Sequence, residues 1–286
     1  MTPLRHQMIE AMSLRGLSPR THETYLCAVA QLAGYYHRPP DRLTPAELQV
    51  YFKYLTLERK LSPATCRLYL NAVRFLYLKV LGWQHFDVEL VVPKRPQRIP
   101  ELLNRDDVAR ILRATLNDRH RMLLSLCYGC GLRLSELIAV QIRDIDGERQ
   151  MLRVEQGKGA RDRYVLLAPS LLTALRRYWC QYRPRHWLFP TPQHPERHIG
   201  QCSAQRAYYG AKRRAGIDKR GGIHALRHAY ATHQLEQGLP VHQLQHLLGH
   251  RDLKSTLRYV HWAPVRTEGE HGHADLLTGI GTGHES

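Results

Sequence analysis

No stretch of the 286 residues approaches the ~20 consecutive apolar positions of a membrane-spanning helix. The first residues carry no apolar secretory segment either. The expectation is a cytoplasmic protein with no membrane partner. Cysteine is scarce and scattered, at 27, 66, 127, 130, 180 and 202. That excludes a disulfide scaffold and implies reduced thiols. Acidic residues are also short: 25 Asp and Glu stand against 42 Lys and Arg, for a net charge of +17. Such a surplus calls for a polyanionic partner, most often nucleic acid, bound in a salt-sensitive way. Signatures of several enzyme classes are missing. No His-Glu-x-x-His occurs despite eighteen histidines, and no Asp/Glu cluster completes a two-metal nuclease. The Gly-x4-Gly-Lys-Ser/Thr loop and the serine-hydrolase elbow are absent too. No metal and no cofactor are expected.

What is present is unevenly charged. Residues 1–92 hold 11 basic and 7 acidic residues, 93–264 hold 30 and 14, and 265–286 hold 1 and 4. The first stretch reads as a helical bundle. Ser18-Pro19, Thr44-Pro-Ala-Glu47 and Ser62-Pro63 are helix starts, a capping serine or threonine followed by proline in the first turn. Apolar residues then recur at helical spacing, and Gly82 ends the third helix. A bundle of this kind serves DNA binding or oligomerisation. Residues 93–100, with prolines at 93, 96 and 100 and the basic Lys94 and Arg95, read as an extended linker that either follows a phosphate backbone or merely spaces two domains.

Beyond the linker, Asn104-Arg-Asp-Asp107 caps a helix, and an apolar run from Met122 to Cys130 leads into Gly131-Leu-Arg133-Leu-Ser-Glu136. Cys127 and Cys130 have metal spacing but no second pair, so they read as core. Arg133 sits between leucines and needs a partner, either Glu136 in a structural pair or a phosphate that both line. Met151–Gln156 and Tyr164–Leu167 form a hairpin around Gly157-Lys158-Gly159, where Lys158 is either solvated or reaching into a groove. A helix follows over 170–182, then a loop over 193–200. The helix over 205–215 carries Arg206, Lys212, Arg213 and Arg214, either as a DNA contact or as a solvated face. His224-Ala-Leu-Arg227-His228 places His224 and Arg227 on one helix face. Gly249 ends a further helix over 239–248, so that His250 follows it, and Tyr259 comes nine residues later. Imidazoles, a guanidinium and a phenol gathered this way suit a phosphate diester. Residues 266–286, rich in Gly and His, read as a flexible tail.

Taken in order, Gly131-Leu-Arg133-Leu-Ser-Glu136-Leu, Lys158, His224-Ala-Leu-Arg227-His228, Leu248-Gly249-His250 and Tyr259 resemble the tyrosine recombinase (phage integrase) family. The likeness spans the chain, since the N-terminal bundle resembles that family's SAM-like core-binding domain. It implies a mainly α protein with a small antiparallel sheet: a helical DNA-binding domain over 1–92 and an α+β DNA breaking-rejoining domain over 101–265. It also implies a chemistry. Tyr259 attacks a scissile phosphate to form a 3′-phosphotyrosyl bond, with His224 as base and Arg133, Arg227 and His250 on the nonbridging oxygens. Lys158 protonates the leaving oxygen and Glu136 orients its neighbours. Ester exchange needs no ATP and no metal. The implied partners are double-stranded DNA with specific recombination sites and the protein itself, monomeric in solution and tetrameric on synapsed DNA. A mobile-element integrase is the leading expectation. A chromosome or plasmid dimer resolvase, a non-catalytic DNA-binding regulator and a type IB topoisomerase-like enzyme stand beside it.

Overall fold

The computed structural model describes residues 2–88, 101–155, 162–262 and 276–278. The chain forms two compact units, residues 1–98 and 99–286. Among the described residues no helix is long and apolar enough to cross a membrane.

The first unit is built from α1 (Pro3–Leu14), α2 (Pro19–Tyr36), α3 (Pro45–Lys53) and α4 (Pro63–Phe75). Ser18 and Ser62 accept the backbone N–H groups of Thr21 and Thr65, each at 3.2 Å. Thr44 and Glu47 close a reciprocal box, which satisfies donors the helix start leaves bare. Helices α3 and α4 each continue into one wide π-helical turn, Tyr54–Glu58 and Leu76–Val80. The core is Leu32, Leu48, Phe52, Leu55, Val73 and Leu76, with Tyr51 and Tyr77. Helix α1 was not among the expected elements. It buries only Met8 and Met12, too few apolar positions for its periodicity to stand out.

The second unit opens with α5 (Arg105–Arg113), which the Asn104–Asp107 box caps. Next come α6 (Asp118–Cys130) and the short α7 (Leu134–Ile138). Strands β1 (Ile145–Asp146), β2 (Met151–Val154) and β3 (Arg163–Leu166) make an antiparallel sheet in that order. The register pairs Leu152 with Val165 and Val154 with Arg163, so these four side chains share the buried face. The expected hairpin gains β1 as a third strand. After α8 (Pro169–Tyr182), β4 (Pro190–Thr191) pairs with β5 (His194–His198). The expected loop over 193–200 is thus largely strand; its mostly exposed side chains gave no apolar alternation to read. Helices α9 (Gln201–Arg214), α10 (His224–Glu236), α11 (Val241–Leu248) and α12 (Lys254–Val260) complete the unit.

Helix α6 is the axis of this half. Every residue from Arg121 to Cys130 is buried, as a helix apolar all round requires. Cys127 and Cys130 are core thiols, and burial pushes Cys127 up to about 12. The tail contributes as well. Within the stretch expected to be flexible, residues 276–278 form a turn whose Leu276 and Leu277 are 4% and 2% exposed in the same core. Two leucines in a Gly- and His-rich stretch were too sparse to reveal it.

Candidate active site

Helix α6 stops at Gly131, whose φ is +59°. A Cβ there would fall 2.3 Å from the Tyr230 ring, so glycine is required on both counts. The turn delivers Arg133 to the position just before α7. Glu136, one turn on, accepts the Arg133 backbone N–H at 2.9 Å and its Nη1 at 2.6 Å. The two readings of this pair meet here, since Arg133 is paired and its side chain still keeps 34% exposure.

Gly249, in the left-handed conformation, ends α11 and leaves its last carbonyls without helical partners. Three guanidiniums take them in succession. Arg163 Nε donates to Leu247 O at 2.7 Å, Arg227 Nη2 to Leu248 O at 2.8 Å, and Arg133 Nη2 to Gly249 O at 2.8 Å. The partial negative charge of a helix C-terminus favours such cations. Glu136 joins the same three. Arg163 pairs with both its oxygens at 2.8 and 3.0 Å, and Arg227 Nη1 lies 3.8 Å away. Burial would raise the Glu136 carboxyl, but the Arg163 and Arg133 contacts outweigh it and hold it at about 2. Three guanidiniums against one carboxylate leave a surplus of positive charge, suited to an anion.

Arg227 is 4% exposed and is also bonded to Gly131 O at 2.7 Å, which ties α10 to the turn after α6. Its Nη2 lies 3.1 Å from His250 Nε2. A guanidinium has no acceptor, so His250 Nε2 accepts. Its Nδ1 then donates to Thr256 Oγ1 at 2.8 Å. Burial, then Arg227 and Arg133, hold His250 at about 4, and the ring is neutral. In this state the nitrogen facing the cluster, His250 Nε2, is an acceptor. The His250 ring stacks on Tyr259 at 6.1 Å and 9°.

Tyr259 lies on α12 and is 4% exposed; burial raises its pKa against the opposing charge of Arg227. The imidazole that meets its hydroxyl is His228, with Nδ1 at 3.1 Å. The expected base, His224, occupies the first, exposed position of α10, and burial of its ring followed by the charges of Arg227 and Arg133 lowers its pKa. In this structure the imidazole that contacts the phenol is thus His228, one turn further on than His224. Sequence spacing puts both histidines on one helix face and does not say which reaches across to α12.

Arg133, Glu136, Arg227, His250 and Tyr259 are thus brought into one contiguous cluster, with His224 in its electrostatic field. Lys158 of the hairpin and Lys94 and Arg95 of the linker lie outside the described residues. On α9, Arg206 and Arg213 are exposed and line an open concavity with Tyr209. Lys212 instead donates to Lys219 O, and Arg214 Nε to Ala114 O at 2.8 Å, so these two also brace the fold. Arg163 was missed by sequence reasoning. Its signal was the strand alternation, which sets it inward between outward-facing Asp162 and Tyr164. Among the described residues no group of three or more His, Cys, Asp or Glu side chains is arranged to hold a metal ion.

A helical unit joined to an α+β unit with an arginine cluster around a buried tyrosine defines the class: a DNA breaking-rejoining protein. Comparison with known proteins agrees. Residues 101–266 match the phage integrase family, and residues 4–85 match the phage integrase N-terminal SAM-like domain. An integrase/recombinase of Sinorhizobium fredii is 40% identical over 264 residues, covering 91% of this chain and 84% of that protein. Tyrosine recombinase XerD of Pseudomonas putida is 32% identical over 288 residues, covering 94% of this chain and 96% of its own. The fold is shared with a lambda integrase tetramer solved on a Holliday junction (TM-score 0.72, 17% identity, 90% of this chain and 76% of that one). The chain belongs to the phage integrase family, the tyrosine recombinases, enzymes that cleave and rejoin DNA in site-specific recombination.

Proposed function

We propose that Tyr259 is the nucleophile of this recombinase and that the arginine cluster holds the phosphate it attacks. The observation that carries this is the shared anchoring of Arg133 and Arg227. Both are fixed by Glu136 and by the last carbonyls of α11, with Tyr259 on the helix that follows. Preset donors cost no reorganisation when charge develops on phosphorus, and losing one raises the barrier by ~3–4 kcal/mol. The phenol oxygen bonds to phosphorus, the bond to the 5′-oxygen breaks, and Lys158 protonates that leaving oxygen. The strand is retained as a 3′-phosphotyrosyl ester, whose energy is returned on rejoining. His224 contacts the phosphate from the start of α10, and His250 fixes Arg227.

The partner is double-stranded DNA with specific sites, contacted by Arg206, Lys212, Arg213 and Arg214 and by Lys94 and Arg95 of the linker. Protomers assemble as a tetramer on two sites, a reading supported by the lambda integrase likeness. The biological setting is a mobile element, supported by the similarity to the Sinorhizobium integrase/recombinase.

A duplex selected by the wild-type protein from a random-sequence pool, then nicked beside the cleavage point, tests the scheme. Covalent adduct in EDTA, absent with Tyr259→Phe, is the expected result. No adduct from wild type, or an equal yield from Tyr259→Phe, overturns it.

A further inference from the structure

The buried hydroxyl of Tyr259 has two neighbours. His228 Nδ1 stands 3.1 Å from it, and the positive charge of the Arg227 guanidinium acts on the phenol oxygen. A guanidinium offers no acceptor, so the phenol's proton is directed to His228 Nδ1. The His228 ring is fixed for this contact. It meets the Trp262 ring edge-on at 5.9 Å and 89°, and Trp262 meets Tyr259 in the same way at 5.4 Å. His228 sits next to Arg227 on α10, so one helix supplies both the phenol's acceptor and its cationic neighbour.

We propose that His228 orients the Tyr259 hydroxyl and takes its proton as the phenol oxygen attacks phosphorus; this rests on the recombinase reading of the site. The step balances. The O–P bond forms, the phenolic proton passes to Nδ1, the bond to the 5′-oxygen breaks, and the rejoining step returns the proton to the phenol. The charged and titratable groups facing His228 are His224 and Arg227 from α10 and Arg258 and Tyr259 from α12, with His250 stacked on the far ring. Burial first, then His224 and Arg227, hold His228 at about 4, so the ring is a neutral acceptor at pH 7. A phosphodiester bound among those cations offsets their charge and raises its basicity when the proton must move.

The test compares His228→Asn, whose Oδ1 takes the place of Nδ1 as an acceptor, with His228→Phe, which keeps a ring against Trp262. Adduct formation on the selected, nicked duplex is followed in single turnover from pH 5.5 to 8.5. Wild type should show an acid limb. His228→Asn should lose that limb and fall about tenfold, and His228→Phe should fall at least about 100-fold, with specific DNA binding and melting temperature kept. His228→Phe within threefold of wild type, or an unchanged acid limb in His228→Asn, overturns the proposal. A second readout uses no DNA: 3-fluorotyrosine placed at 259 and followed by ¹⁹F NMR. Its resonance and ionisation midpoint should move in His228→Phe, and a resonance indifferent to position 228 overturns the contact. If wild type forms no adduct while this resonance responds, the recombinase reading fails and the hydrogen bond stands, but the proton transfer falls with the reading.

Discussion

The two halves of this molecule are held together by different physics. In the N-terminal unit every buried side chain among the described residues is apolar or a tyrosine. In the catalytic unit the buried set includes Arg121, Arg163 and Arg227, with Asp107, Asp144, His233, Gln234 and Thr256. The first is a bundle of capped helices, where each cap and each apolar contact contributes separately. The second takes charge out of water, which costs several kcal/mol per ion unless every group finds a partner. Its partners are spread over five elements: the turn before α7, α7 itself, β3, α10 and the end of α11. Such a network is stable only when complete, and it fixes three guanidiniums at the end of α11. The catalytic half gives up the tolerance of an apolar core for positioned charge.

The sharpest way to break this contrast is Glu136→Ala. It leaves Arg163 and Arg227 buried without their carboxylate and should cost about 3–5 kcal/mol, read as lost hydrogen-exchange protection in α6 but not in α4. Equal loss in both halves would mean that the units do not differ in this way. Next is Arg163→Met, which leaves Glu136 to Arg133 and Arg227 and should cost about 3 kcal/mol in urea unfolding. It should also slow adduct formation although Arg163 is too buried to touch DNA; a fully active variant would remove Arg163 from the cluster's support.

Lowering the pH sharpens the comparison further. His228 and His250 sit at about 4 in the folded protein against an ordinary 6.5. Between those values the unfolded chain binds more protons, so stability is lost as pH falls from about 6.5 toward 4. Glu136, held at about 2 against 4.5, adds its loss only below about pH 4.5. Protection in α10 should therefore drop between pH 7 and 5 while that in α4 holds; parallel behaviour would contradict the assignment. The smallest effect expected is Ser62→Ala, which removes one cap and should cost about 1 kcal/mol, confined to the N-terminal unit.

How far the sequence could be read follows the same division. Ser18, Thr44, Ser62 and Asn104 announce their helices because capping is a contact over three residues. His224, Arg227, His250 and Tyr259 were legible as a motif because their order and spacing survive in the chain. The pairs across the fold were not. Nothing local says that Arg163 closes on Glu136, 27 residues away, or that His228 rather than His224 reaches Tyr259, 31 residues away. Such partners depend on how helices cross and on strand register, which spacing alone does not encode. Elements too short or too polar for a period, β1 and β5 among them, went unread for the related reason that only burial makes a period visible.

The most direct test of the central claim is to trap the covalent adduct on the selected, nicked duplex, digest it, and identify the DNA-bearing peptide by mass spectrometry. The account predicts one modified residue, Tyr259, joined to a 3′-phosphate. Attachment at any other side chain, or through a 5′-phosphate, would contradict it.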